Sequence, residues 1–176
     1  FSGDVTAEPF AQRYSANGMQ LNARLSGKGL PGGKLEAALG GDVAVDLISQ
    51  QASLKGFRLS GMGAEVDAQV EVSKLLGQPD VRGQLSVKLA DVAKLLSLAP
   101  AGSVPSELKL TALNGTHLKA DLALSLGDQS LSVAPLTLAV PGIELKVTAK
   151  GKQIIDKPSF SGALVSSEFV PRQLLS

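Results

Sequence analysis

Apolar and polar positions alternate along most of this chain. In DVRGQLSVKL, residues 80–89, Val81, Leu85, Val87 and Leu89 alternate with Asp80, Arg82, Gln84, Ser86 and Lys88, the period-two pattern of a strand wetted on one side. The pattern recurs upstream, with Leu21, Ala23 and Leu25, then Leu35, Ala37 and Leu39, then Val43, Val45 and Leu47 on one side. After ASLKGFRLSG comes a long run that sets Ala64, Val66, Ala68, Val70 and Val72 on one face. Downstream, ELKLTAL offers Leu108, Leu110 and Ala112, and Asn114-Gly115 predicts a two-residue hairpin. Leu118, Ala120, Leu122, Leu124 and Leu126 then oppose His117, Lys119, Asp121 and Ser125. Leu131 and Val133, Leu136 and Leu138 beyond Pro135, and Ile143, Leu145, Val147 and Ala149 complete the series. About a dozen strands with mostly short connections predict an antiparallel, all-β fold.

Two stretches change period. Val92, Leu95 and Leu96 stand at i, i+3 and i+4, one face of a short helix, with Asp91 suited to cap its start and Pro100 unable to continue it. Residues 168–175 read as a second short helix, with Glu168 near its start and Pro171 in its first turn. Phe1 to Thr6 reads as a strand and Glu8 to Ser15 as a weakly signalled helical crossover.

The chain also repeats itself. Pro79, Gly83, Leu85, Leu95 and Leu96 are answered 79 residues later by Pro158, Gly162, Leu164, Leu174 and Leu175. The same shift places Asp42 on Asp121, Gln50 on Gln129, Ser53 on Ser132, Leu59 on Leu138, Gly63 on Gly142 and Glu65 on Glu144. A worn third copy opens the chain at Phe1, Ser2 and Gly3, which answer Phe160, Ser161 and Gly162. Residues 1–176 are therefore expected to form one array: unit one at about 1–80, unit two at about 81–160, and a terminal motif at 158–176. Each unit hides its apolar face only beside its neighbours. An anchor or leader of a longer parent would lie outside a chain that opens within its own motif.

Composition sharpens one point. Hydrophobic residues make up 44%, yet there is no Trp, one Tyr and five Phe, so the apolar faces are smooth and aliphatic. Two short helices cannot cover a dozen strands, and a soluble protein rarely leaves more than a few hundred Å² of contiguous apolar surface in water. The sheet must fold over on itself, either as a dry sandwich or as an open gutter filled by a guest. Composition leaves both open.

Charge and chemistry exclude more than they suggest. Seventeen basic and sixteen acidic residues give a net charge of +1 without runs of like sign, and aromatics are 3%, which argues against nucleic acid. No cysteine is present, which fits an oxidising compartment. His117 is the single histidine and sits beside a turn, so neither a zinc site nor His-based catalysis is expected. Glu65, Glu144, Asp42 and Asp121 recur on the polar parity, where solvated carboxylates are the ordinary outcome rather than an acid–base pair. Gly27 to Gly33 misses phosphate-loop spacing, no Gly-x-Ser-x-Gly elbow occurs, and the hairpin accounts for Asn114-Gly115-Thr116 without glycosylation. No catalytic, cofactor or metal residue is expected, and no enzyme.

The motif [FV]-x-G-x-[LV] followed by a segment ending Leu-Leu stands at Val81-Gly83-Leu85-Leu95-Leu96. It stands again at Phe160-Gly162-Leu164-Phe169-Arg172-Leu174-Leu175. With Leu- and Gly-rich amphipathic strands between the copies, the whole chain resembles the periplasmic repeat region of the AsmA family of Gram-negative bacteria. The first copy departs from the motif by lacking Leu-Leu after Arg13. The resemblance implies a taco-shaped repeating β-groove in the periplasm, on a parent anchored in the inner membrane. It further implies a role in outer-membrane biogenesis, with phospholipid acyl chains carried in the groove. On that reading the lining comprises Val66, Val70, Leu85, Val87, Leu108, Leu110, Leu118, Leu122, Leu124, Leu136, Leu138, Ile143, Leu145, Val147, Phe160 and Leu164. Val92, Leu95, Leu96, Leu174 and Leu175 would gate or plug it at the repeat boundaries. The competing reading is a structural module with a dry β-core that binds envelope proteins by strand addition.

Overall fold

A computed structural model describes residues 1–27, 33–96 and 110–167. Ten strands follow one another in space as they do in sequence: β1 (Ser2–Glu8), β2 (Arg13–Ser26), β3 (Lys34–Asp46), β4 (Gln51–Gly61), β5 (Ala64–Ser73), β6 (Asp80–Leu89), β7 (Thr116–Ser125), β8 (Ser130–Val140), β9 (Ile143–Lys152) and β10 (Ser159–Ser166). Every neighbouring pair is antiparallel, so the all-β reading holds, with ten strands among the described residues rather than about a dozen. Among the described residues, one helix, α1 (Val92–Leu96), and two 3₁₀ turns at Pro9–Ala11 and Leu110–Leu113 complete the elements.

Local chemistry explains where the strands merge or stop. The segments around Leu35 and Val43 join into one strand, β3, bent at a bulge where Gly40 faces Arg58 but Asp42 faces Lys55. The neighbouring strand β2 is irregular between Ala16 and Met19, and Asp42 accepts the Gly18 N–H at 2.6 Å. A single carboxylate thus ties together two adjacent bulges. The tight β4–β5 turn places Met62 at φ 52° and Gly63 at φ 81°, the pair of positive values a two-residue hairpin of this twist demands.

Two expected elements are replaced. No helical crossover spans Glu8 to Ser15: a single 3₁₀ turn closes with the Gln12 N–H on the Pro9 carbonyl, and Arg13 onward is strand. The ladder partner Asp46 draws Arg13 in through a 2.9 Å ion pair. Likewise Leu110 to Leu113, expected as strand, is 3₁₀. Asn114-Gly115 is not a hairpin turn, because its groups are used elsewhere: Asn114 Oδ1 accepts the Val92 N–H at 2.9 Å and the Gly115 N–H donates to Leu89 at 2.7 Å. Asp91 does cap α1, accepting the Lys94 N–H at 3.0 Å. Leu108 and the final helix, with Leu174 and Leu175, lie outside the described residues.

Strand bounds carry the period seen in sequence. Residues 51–61 of β4 and 130–140 of β8 differ by 79, as do 64–73 of β5 and 143–152 of β9. The register break between Leu54 and Phe57 recurs between Val133 and Leu136. The opening copy behaves differently: β1 runs opposite to β6 and β10, because β2 stands between it and β3 where the second unit has α1 and the 3₁₀ turn.

The ladder is flush. Reading across one end, Glu8, Arg13, Asp46, Gln51, Ser73, Asp80, Ser125, Ser130, Lys152 and Ser159 stand opposite one another in turn. A barrel closes only with a fixed stagger of register around its circumference. This row has none, and the sheet is open. Among the described residues, extensive strand–strand contacts run only between sequence neighbours, and α1 packs against the nearby 3₁₀ turn. Among the described side chains, only Val92, Ala120 and Thr116 are buried.

Candidate functional site

Residues opposite one another in an antiparallel ladder share a face. Starting from Val66, the register therefore carries one face from strand to strand. Val66 opposes Val87, which opposes Leu118, which opposes Leu138, which opposes Leu145. A second row runs from Ala68 through Leu85, Ala120, Leu136 and Val147 to Leu164. A third joins Val70, Gly83, Leu122, Val133, Ala149 and Gly162. Leu124 and Phe160 lie on the same face through Leu131 and Gly151, and Ile143 through Val140. Toward β1 the face continues through Phe57, Leu59, Leu39, Leu21 and Tyr14.

Fourteen of the sixteen expected lining residues thus share one side of the sheet. Leu108 lies outside the described residues, and Leu110 stands in the 3₁₀ turn rather than on a strand. In the second and third rows large side chains sit beside small ones at the β6–β7 join, as in Leu85–Ala120 and Gly83–Leu122. Among the described residues no second apolar layer packs on this face.

The other face is ionic. Arg24 pairs with Glu36, Arg58 with Asp67, Lys74 with Asp80, and Lys146 with Glu144. The Ser49 backbone N–H, aided by Arg13, holds the Asp46 carboxyl below its ordinary range, and Lys74 with Ser125 does the same for Asp80. The hydrogen bonds that Arg58, Lys74 and Lys146 donate to Asp67, Asp80 and Glu144 raise all three cations above their ordinary values. Glu65 faces Ser60 and Lys88, and Asp121 faces Gln84. Asp42 serves its bulge and Glu144 its lysine. These carboxylates hold strands together and do not converge as acid and base.

Hollows lie over this polar side. Two of them measure about 740 and 710 Å³, and the second spans β1 to β6 between Arg13, Asp46, Lys55, Glu71, Asp80 and Arg82. The aliphatic lining is therefore an open face, and the hollows described here lie on its reverse.

At the expected gate, Val92 is buried while Leu95 and Leu96 are half-buried, and α1 packs against the 3₁₀ turn Leu110–Leu113. Counting alternation misses one feature. Phe10, Ile48, Leu76 and Ile155 are exposed in turns at one end of the sheet, where period-two reading does not apply. The 79-residue spacing of Leu76 and Ile155 is the signal that could have found them. Among the described residues no helix is long and apolar enough to cross a membrane.

No family model matches the chain, and neither the curated proteins nor the solved structures include a significant match to it.

Proposed function

We propose that this chain is a stretch of an AsmA-like periplasmic conduit whose aliphatic face carries phospholipid acyl chains between the inner and outer membranes. One observation carries the reading: a continuous Leu, Val and Ala surface crosses all ten strands and nothing among the described residues covers it. Each Leu or Val side chain gains roughly 1.5 to 3 kcal/mol when fully buried, so an uncovered row of them is a standing drive to bind apolar matter. Smooth aliphatic walls suit flexible chains, which need contact rather than a shaped pocket. In the parent, a curl of the sheet towards this face would turn it into the taco-shaped groove. The motif at Val81-Gly83-Leu85 and Phe160-Gly162-Leu164 supports the family. A dry scaffold module is the weaker reading, because it requires a second apolar layer against this face.

The test is uptake of a fluorescent phospholipid by the purified chain, compared with a Leu85→Asp, Leu136→Asp double variant. Saturable uptake by the chain, reduced several-fold in the variant while far-ultraviolet circular dichroism stays unchanged, supports the proposal. A folded chain that takes up no lipid overturns it.

A further inference from the structure

Strand β9 carries positive charge that its neighbours do not answer. Its polar side presents Glu144, Lys146, Thr148, Lys150 and Lys152, all exposed. Lys146 is paired with Glu144 at 2.8 Å. Lys150 stands instead between Ser132 of β8 and Ser161 of β10, and Lys152 between Ser130 and Ser159. Among the described residues neither of these two lysines has an ion-pair partner.

The first unit shows that the position does not require this. Under the 79-residue shift Glu71 stands where Lys150 does, Ser73 where Lys152 does and Asp67 where Lys146 does. There the flanking strands supply the opposite charge: Glu71 faces Arg82 across the ladder, and Asp67 pairs with Arg58 at 2.8 Å. In the second unit the sign on the strand is reversed, while Ser161 and Ser159 replace Arg82 and Asp80 on the flank. The cations are present and the counter-charges beside them are not.

We propose that Lys150, Lys152 and the four serines form a binding site for a phosphate group. The six side chains make two rungs, each serine, lysine, serine, roughly 9.5 Å wide and set about 6.7 Å apart along the strands. The two ammonium groups supply charge, and the four hydroxyls can donate hydrogen bonds close to the sheet. A phosphate ester brings nearly two negative charges and three acceptor oxygens, enough to engage lysines and serines together. A carboxylate, with one charge and two oxygens, fits the donors less well.

The carboxylates at this end of the sheet stand in turns, not on the rungs. Ser125 Oγ donates to Asp128 at 3.1 Å, and Gln129 Nε2 donates to Asp156 at 2.6 Å. Asp121 lies on β7, beyond β8, opposite Gln84. Lys119 faces Thr137, which in turn faces Lys146, and adds a further positive charge on this side.

Parity puts the site on the reverse of the aliphatic face, because Ala149 and Gly151 flank Lys150 and point the other way. A lipid whose tails lie along Val133, Ala149 and Gly162 cannot also place its headgroup here. The phosphate therefore belongs to a different molecule, a soluble ester or the headgroup of a bilayer lying against the polar side. The inference does not rest on the lipid-conduit reading.

The test is a titration of the ¹⁵N-labelled chain with inorganic phosphate at neutral pH and constant ionic strength, with acetate as the comparison anion. Saturable amide shifts should centre on Ser130, Ser132, Lys150, Lys152, Ser159 and Ser161. Affinity should fall several-fold in Lys150→Gln, Lys152→Gln and in Ser132→Ala, Ser161→Ala. It should stay within two-fold in Lys55→Gln, Lys88→Gln, which removes the same charge opposite Asp42 and Glu65. Flotation with phosphatidic acid vesicles, against phosphatidylcholine vesicles, separates the sources. Capture by phosphatidic acid that is lost in Lys150→Gln, Lys152→Gln assigns the site to a headgroup, and a response to free phosphate without such capture assigns it to a soluble ester. Equal shifts with acetate, equal loss in the Lys55, Lys88 variant, or no response to phosphate with vesicle capture absent or unaffected by Lys150→Gln, Lys152→Gln overturns the proposal.

Discussion

Leu122→Ala measures how open the aliphatic face is. The substitution deletes three carbons, worth about 2.4 kcal/mol at ~0.8 kcal/mol per fully buried methylene. Leu122 is 41% exposed, so about 60% of that is at stake, roughly 1.4 kcal/mol. No cavity penalty follows, because the site opens to solvent; leucines in closed cores lose about 2 to 5 kcal/mol on the same change. Leu59, 37% exposed, should cost about the same as Leu122, and Leu164, 67% exposed, about 0.8 kcal/mol. Urea titration of lipid-free protein gives each value, with an unchanged slope showing that the unfolding reaction is the same. A loss above about 3 kcal/mol at Leu122, or equal losses at Leu59 and Leu164, would mean that something packs on this face, and the reasoning fails.

Other substitutions address the joints. Asn114→Ala removes the acceptor of the Val92 N–H, so it should destabilise the protein by about 1 kcal/mol and speed hydrogen exchange at Val92; unchanged exchange would deny Asn114 its capping role. At Gly63, φ is 81° and an added Cβ would run into the Asp91 carbonyl, so Gly63→Ala should cost roughly 2 kcal/mol or more in thermal unfolding, and a neutral result would contradict that crowding. Because Asp46 and Asp80 are held below their ordinary value of 3.8, the unfolded chain binds more protons through that range. Their contribution is present above it and lost as pH falls through the lowered values. Asp46→Asn with Asp80→Asn should therefore flatten the acid limb of a stability profile; an unchanged limb would contradict the assignment. Charges at Leu95 and Leu96, half-buried beside the 3₁₀ turn, should change lipid retention without unfolding the sheet if α1 gates the face; global unfolding would make α1 a plain cap.

Much of the sheet was legible because period-two alternation is a one-dimensional record of which face each residue takes. Parity alone puts Val66, Leu85, Leu118 and Leu145 each on the apolar side of its strand, and pairing aligns those sides into one face. The misses fall where local hydrogen bonding overrides the pattern. Leu110 and Ala112 alternate like strand residues, yet Asn114 turns its amide oxygen to Val92, and the segment coils to let it. Arg13 to Ser15 lack strong alternation, but the ion pair to Asp46 and the ladder to Val45 recruit them as strand. Neither the flush register nor the side on which the hollows lie could be read from residue order. Both depend on where bulges fall: Gly41 and Gly56 mark two of them, but their pairing partners are distant in sequence.

Which side of the sheet meets an acyl chain decides the account. A phospholipid with a photoreactive group in its tail, activated on the purified chain and mapped by peptide mass spectrometry, answers this directly. Labels should fall on Leu85, Leu122 and Leu136, on the aliphatic face. Labels on Gln84, Asp121 and Thr137, over the hollows of the polar side, or no label on a folded chain, would contradict it.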